Sequence, residues 1–373
     1  MKTPSEGRAD RLDFVDALRG WAAFGVLVVH TSIWAAGDFP HWFRSILESG
    51  SRGVQLFYVV SAFTLFLSVA RRKRGEASPI RNFFLRRFFR IAPMFYVALI
   101  INLAHRATQP HGLDGVSGWQ VVATVLFLNG WSPAWINSIV TGQWSVAIEM
   151  MFYLTVPLLA LWVKDLTRAL WITLWAVVLS VGLNTFMATR APSENADVWF
   201  IFLFYWLPSQ APIFGLGIVL YFQWLRVEKG EINPALAPFF YAAAIVLLFV
   251  AGHGGYRFLP GHFVFGIAFV LLALALALRP NRFWVNPVTR SVGLVSYSLY
   301  LTHPMTLHVA SKALDWVYRR VGMAPSPLAR YGLLLSLGGA VAYAFAVLCF
   351  WCIEKPGMEA GRRLIRRWET GAN

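Results

Sequence analysis

Residues 260–278 read PGHFVFGIAFVLLALALAL, nineteen positions without an aspartate, glutamate, lysine or arginine, closed by Arg279 and Pro280. A helix rises about 1.5 Å per residue, so such a run reaches about 30 Å, the thickness of a bilayer's hydrocarbon core. Residues 236–252, LAPFFYAAAIVLLFVAG, repeat the pattern just upstream. Scanning outward in both directions predicts ten spans: about 13–34, 51–70, 91–108, 144–163, 169–188, 198–224, 236–252, 260–278, 291–311 and 330–353. The sixth carries Pro208 and Pro212 and is expected to kink or break there. A further apolar stretch, 119–131, is too short to cross and is expected to be interfacial or re-entrant.

Composition agrees. Of 373 residues, 57% are hydrophobic and only 14% charged, too few charges to cover a soluble protein of this size. The 17 Trp and 30 Phe suit rings that anchor helix ends at the interface. The expected fold is an all-α, polytopic integral membrane bundle of about ten transmembrane helices. It forms a single domain over 1–373, with a polar tail at 1–12 and a basic one at 355–373. The polar start lacks a small-residue cleavage site, so the first run is expected to be a retained helix. Cys349 and Cys352 lie in an apolar run with no further ligands in view, and are expected to be small helix residues rather than a metal or redox site.

The net charge of +15 could in principle suit nucleic acid, but the basic residues fall in short segments between apolar runs. That distribution speaks for topology and for membrane lipids as partners, not nucleic acid. With the N-terminus inside, inner segments hold 23 lysines and arginines and outer segments nine, so both termini are expected to be cytoplasmic. The four basic residues in 312–330 fall on the outer side, and an amphipathic interfacial segment would accommodate them.

Ionisable groups inside a bilayer are costly and so are candidates for function. The first run contains Arg19 and His30, eleven residues apart. That spacing is three turns plus about 20°, so both leave one helix face, about 16 Å apart along the axis. Each alone has a bland reading: Arg19 can snorkel to the interface, and His30 can be a hydrogen-bonded core histidine. Sharing a face favours function. Glu149 lies about one and a half turns into the fourth run, at a depth similar to that of His30. A carboxylate there can fix an imidazole's tautomer or pair with an arginine, and spacing leaves both open. His303 is a second intramembrane histidine. His308 sits about 140° round the same helix, which argues against a metal pair, and no H-E-x-x-H occurs. Arg86, Arg87 and Arg90 run directly into the third span, and Arg87 and Arg90, three apart, share a face suited to gripping phosphate. Arg71, Arg72, Lys73 and Arg74 are explained by topology alone.

Six blocks then resemble the membrane-bound acyltransferase family 3, whose members O-acylate bacterial glycans. They are Leu18-Arg19-Gly20 followed by His30; Gly53 to Phe63; Arg86-Arg87-Phe88-Phe89-Arg90-Ile91-Ala92-Pro93; Trp144 to Tyr153; Ser296 to His303; and Ile353-Glu354-Lys355-Pro356. Each is weak alone, but six in order are specific. Ser61-Ala62-Phe63 departs from a common Ser-Gly-Phe, and the extracytoplasmic hydrolase-like domain of some members is not expected here, which raises a periplasmic partner or a homo-oligomer.

The resemblance implies acetyl-CoA or another acyl-CoA as donor, no metal, and a carbohydrate acceptor at a bacterial inner membrane. Arg87 and Arg90, with Arg86 and Arg19, would meet the CoA phosphates. His30 would act as general base or carry the acyl group, with Glu149 orienting it. Tyr300 and His303, together with Trp144 and Ser145, would serve the acceptor side. Two other classes stay open on the residues alone: a proton-coupled transporter, and a non-catalytic scaffold.

Overall fold

The computed structural model describes residues 12–35, 37–72, 76–253, 259–322 and 325–370. The polar tail 1–12, apart from Leu12, lies outside them, as do Lys73, Arg74 and Arg257. Every regular element among the described residues is a helix. In chain order these are α1 (Asp13–Ala35), α2 (His41–Ser49), α3 (Gly53–Arg72), α4 (Pro79–Ala107), α5 (Gly118–Val125), α6 (Gln143–Trp162), α7 (Leu166–Ala188) and α8 (Ala196–Tyr205). There follow α9 (Leu207–Glu228), α10 (Ala237–Gly252), α11 (Gly261–Leu278), α12 (Pro287–Leu294), α13 (Ser296–Val321), α14 (Pro327–Leu333), α15 (Gly339–Cys349) and α16 (Lys355–Thr370).

Nine helical stretches among the described residues are long and apolar enough to cross a membrane. The tenth expected span, 291–311, is also helical. It falls in α12 and in α13, which runs for 26 residues but buries Ser296, Ser298, Thr302, His303 and Ser311. Those polar groups, with Lys312, Asp315, Arg319 and Arg320 toward its end, take α13 below the apolarity of the others. The stretch 119–131 forms only the two turns of α5 and a short 3-10 turn, Asn129–Trp131. The expected basic tail at 355–373 is the helix α16 over its described part.

The third span starts well before residue 91. α4 begins at Pro79, where a residue without an N–H is well tolerated in a first turn. The chain leading into that turn is tied down from α16. Glu369 accepts from the backbone N–H of Ala77 at 2.8 Å and Ser78 at 3.3 Å, and from Asn82 Nδ2 at 2.8 Å. Arg86, Arg87 and Arg90 therefore stand on a helix whose start is fastened down.

The sixth span breaks just before Pro208, as expected, and runs on as helix through Pro212. α8 ends at Tyr205, Trp206 is extended (φ −63°, ψ 160°), and α9 restarts with Pro208 in its first turn. A break inside apolar surroundings frees carbonyls that need partners. Ser209 Oγ donates to the Leu203 carbonyl and Gln210 Nε2 to that of Phe204 at 2.6 Å. Trp206 Nε1 donates to Asn184 Oδ1 at 3.1 Å.

The chain forms two compact units, Met1–Val60 with Phe222–Val347, and Ser61–Tyr221 with Leu348–Asn373. In the first, α1 lies backbone to backbone against α12. A Cβ added at Gly20 would sit 2.0 Å from the Thr289 carbonyl oxygen, and one at Gly293 would sit 1.8 Å from that of Asp16. Small residues permit this approach, and the approach fixes the rotation of α1, hence the directions of Arg19 and His30. Gly20→Ala is expected to destabilise the protein by about 1–3 kcal/mol, as overpacking does. It should lower the unfolding midpoint in detergent. An unchanged midpoint would mean the helix pair opens without cost.

Candidate active site

In the first unit, α1 and α13 bring two histidines together. His30 Nδ1 lies 2.5 Å from His303 Nε2. The rings are 15° apart in tilt with centroids 4.7 Å apart. That centroid separation is about the N···N distance plus the two ring radii, so the rings meet edge to edge in nearly one plane. The contact is a hydrogen bond, not a face-to-face stack. The other nitrogen of His303, Nδ1, lies 3.1 Å from the Leu299 carbonyl. His303 is 2% exposed and His30 is half-buried, so the second ring is the more accessible one. Tyr300 packs one turn away, its ring 6.0 Å from that of His303 and 6.0 Å from Phe57. Arg19 stands half-buried on the same uninterrupted helix as His30.

In the second unit, Glu149 on α6 collects two hydroxyls. Its Oε1 accepts from Tyr153 at 2.6 Å, one turn along α6, and from Ser61 Oγ on α3. Tyr153 is buried. The Arg87 guanidinium stands 5.9 Å from the Tyr153 ring centre and 5.8 Å from that of Phe83, within cation–π range. Arg87 on α4 and Glu149 on α6 are thereby linked through one tyrosine. Ser61 and Tyr153 lay in the quoted sequence blocks without an assigned role. Their signal was a hydroxyl in an otherwise apolar helix, which in a membrane needs an acceptor.

The arginines of α4 differ in availability. Arg86 is held by Glu76 in a two-pronged ion pair, Nη1–Oε1 at 2.8 Å and Nη2–Oε2 at 3.1 Å. Bidentate pairing of this kind is the geometry arginine would also offer a phosphate, so a phosphate at Arg86 competes with Glu76. Arg90 is half-buried one turn beyond Arg86. Beside them a cavity of about 220 Å³ opens among α3, α4 and α6. Its walls are mostly apolar (Ile80, Phe83, Pro157), with Arg86, Glu76 and Ser68 as the polar residues, and Phe83 is shared with the Arg87 contact.

Trp144 and Ser145 are engaged in packing. Trp144 is 6% exposed and stacked on Tyr205 at 4.0 Å and 13°. Ser145 Oγ donates to the Gly142 carbonyl at 2.9 Å. Gln143, fully buried, ties the preceding loop by accepting from Val140 N at 2.9 Å and donating to the Trp135 carbonyl at 2.8 Å.

Comparison with known sequences shows the family. Residues 12–353 match the acyltransferase domain family. The chain is similar to the acyltransferase MdmB of Streptomyces mycarofaciens, 30% identical over 231 residues, 57% of this chain and 57% of that protein. It is also similar to the peptidoglycan O-acetyltransferase OatA of Listeria monocytogenes, 22% identical over 371 residues, 92% of this chain and 55% of OatA. The chain thus spans a little over half the length of these relatives. No solved structure matches it. The family match runs from the residue before α1 to the turn after α15 and so takes in both the histidine pair and the Glu149 cluster: the chain is a multi-pass membrane protein of the acyltransferase domain family.

Proposed function

We propose that the protein is an integral membrane O-acyltransferase that moves an acyl group, acetyl in the simplest case, from acyl-CoA to a hydroxyl of a carbohydrate acceptor. The observation that carries this reading is the hydrogen-bonded His30 in α1, an intramembrane imidazole on a helix that also bears Arg19. OatA, by its name, acetylates peptidoglycan, and that supports a glycan acceptor.

In this reading His30 takes the proton of an acceptor hydroxyl as its oxygen attacks the thioester carbonyl. The tetrahedral intermediate collapses, the carbon–sulfur bond breaks, and the proton passes to the departing thiolate. The donor's phosphates meet Arg87 and Arg90, with Arg19 about 16 Å from His30 along α1, a span the pantetheine arm can bridge. Arg86 joins only if Glu76 yields it. The basic segments face the cytoplasm of a bacterial inner membrane, and CoA enters from that side.

The test uses purified protein in proteoliposomes, labelled acetyl-CoA and a panel of glycan oligosaccharides. An alkali-labile acetyl ester on the sugar supports the proposal. Proton uptake with no ester formed from acetyl-CoA or any longer acyl-CoA would overturn it in favour of a transporter. A labelled acyl group trapped on His30 without acceptor would replace the general-base step by a covalent one.

A further inference from the structure

We infer that His303 is a positioning residue that holds His30 in one tautomer, Nδ1 protonated, and so makes His30 Nε2 the nitrogen that takes the acceptor's proton. The inference rests on the reading of His30 as the base, and deepens it.

The argument is a count of protons along one line of atoms. The Leu299 carbonyl can only accept, so His303 Nδ1, 3.1 Å away, must donate to it. A neutral imidazole with its proton on Nδ1 has a lone pair on Nε2. His303 Nε2 is therefore an acceptor, and its partner at 2.5 Å, His30 Nδ1, must carry the hydrogen. That leaves His30 Nε2 as the proton-free nitrogen of the pair. The near-coplanar rings align the lone pair with the N–H, as a hydrogen bond requires.

The elements make this line stiff. Leu299 and His303 are one turn apart on α13, so the carbonyl that sets the first tautomer belongs to the same helix. His303 is buried and cannot turn to solvent. α1 is pinned against α12 by the Gly20 and Gly293 contacts, which fix where His30 projects. In catalytic triads a carboxylate fixes the base's tautomer. Here the Nδ1 position is occupied by a neutral acceptor, while the Glu149 carboxylate is engaged by Ser61 and Tyr153.

Proton flow then balances. His30 Nε2 gains the hydroxyl proton as the new carbon–oxygen bond forms. The positive charge is shared across the Nδ1–H···Nε2 bond to His303. His30 Nε2–H returns the same proton to the thiolate when the carbon–sulfur bond breaks.

The test is spectroscopic and kinetic. Histidine is labelled with ¹⁵N, and the His30 signals are identified by their absence in His30→Gln. Wild type is expected to give a protonated Nδ1 and an unprotonated Nε2 at His30. His303→Leu removes the acceptor: His30 should become a tautomer mixture, and kcat should fall at least tenfold while KM for acetyl-CoA holds. In His303→Gln the amide oxygen can still accept from Nδ1, so the wild-type tautomer and much of kcat should return. A wild-type His30 protonated at Nε2 overturns the inference, as does a folded His303→Leu with the tautomer and kcat unchanged. Full transfer by His30→Ala would instead overturn the assignment of His30 as the base, and the tautomer measurement stands apart from it.

Discussion

His30→Ala is expected to lower acyl transfer by about 10²–10⁴-fold, the usual worth of a positioned general base. The drop should appear in kcat, because alanine removes the proposed proton acceptor and leaves untouched the arginines proposed to bind the donor. Acetyl-CoA affinity, measured by calorimetry in detergent, should stay within a few-fold of wild type. Fold should survive as well. His303 Nε2 is then left without its hydrogen-bond donor, but a neutral acceptor deprived of a donor costs less than an orphaned charge. If kcat persists in a variant that binds acetyl-CoA normally, the base is another residue and His30 is a packing residue of α1.

The double change Arg87→Ala/Arg90→Ala is expected to weaken acetyl-CoA binding at least tenfold, about 1.4 kcal/mol or more. Charge-assisted bonds from guanidinium to phosphate are among the stronger polar contacts, and two are removed. The loss should shrink as salt rises, because part of it is screened attraction. Arg86→Ala is the informative comparison. Arg86 is already held by Glu76, so its removal should cost stability, by leaving a half-buried carboxylate with only the Asn82 amide as partner, more than donor affinity. Equal affinity in wild type and the double variant would move the donor site away from α4.

Particular elements show how much was legible beforehand. The nine apolar stretches follow from hydropathy, because burying a backbone in hydrocarbon demands helices of one length. The break at Pro208 was legible too. Its rescue by Ser209 and Gln210 was not, since either side chain could equally have faced a neighbouring helix. The start of α4 at Pro79 was hidden because its first turns are basic and polar. Hydropathy sees only the apolar part of a helix, and the chain entering that end is held by Glu369, nearly three hundred residues away in the chain. α13 shows the converse: its helix was expected, and its polar face was visible as Ser296, Ser298, Thr302 and His303.

The candidate site divides the same way. Arg19, His30, Glu149, His303 and the α4 arginines were each visible, because an ionisable group in an apolar run stands out against its cost. Their partners were not. Glu149 was weighed as a partner for an imidazole or an arginine; its carboxylate accepts from Tyr153 and Ser61, and within the first unit His30 pairs with His303. Likewise Arg86 was read as a phosphate ligand, and its fork is filled by Glu76.

The sequence by itself determined the class of molecule, the place of nine apolar spans, the family, and which side chains would be expensive to bury. Those properties depend on composition along the chain and on local helix geometry, which need no knowledge of what packs where. Only the tertiary structure decided who meets whom: α1 on α12 through two glycines, His30 on His303, Tyr153 and Ser61 on Glu149. The physical reason is range. Hydropathy and helix rise act over one span, whereas a hydrogen bond is decided by a few tenths of an ångström between atoms that can lie 273 residues apart.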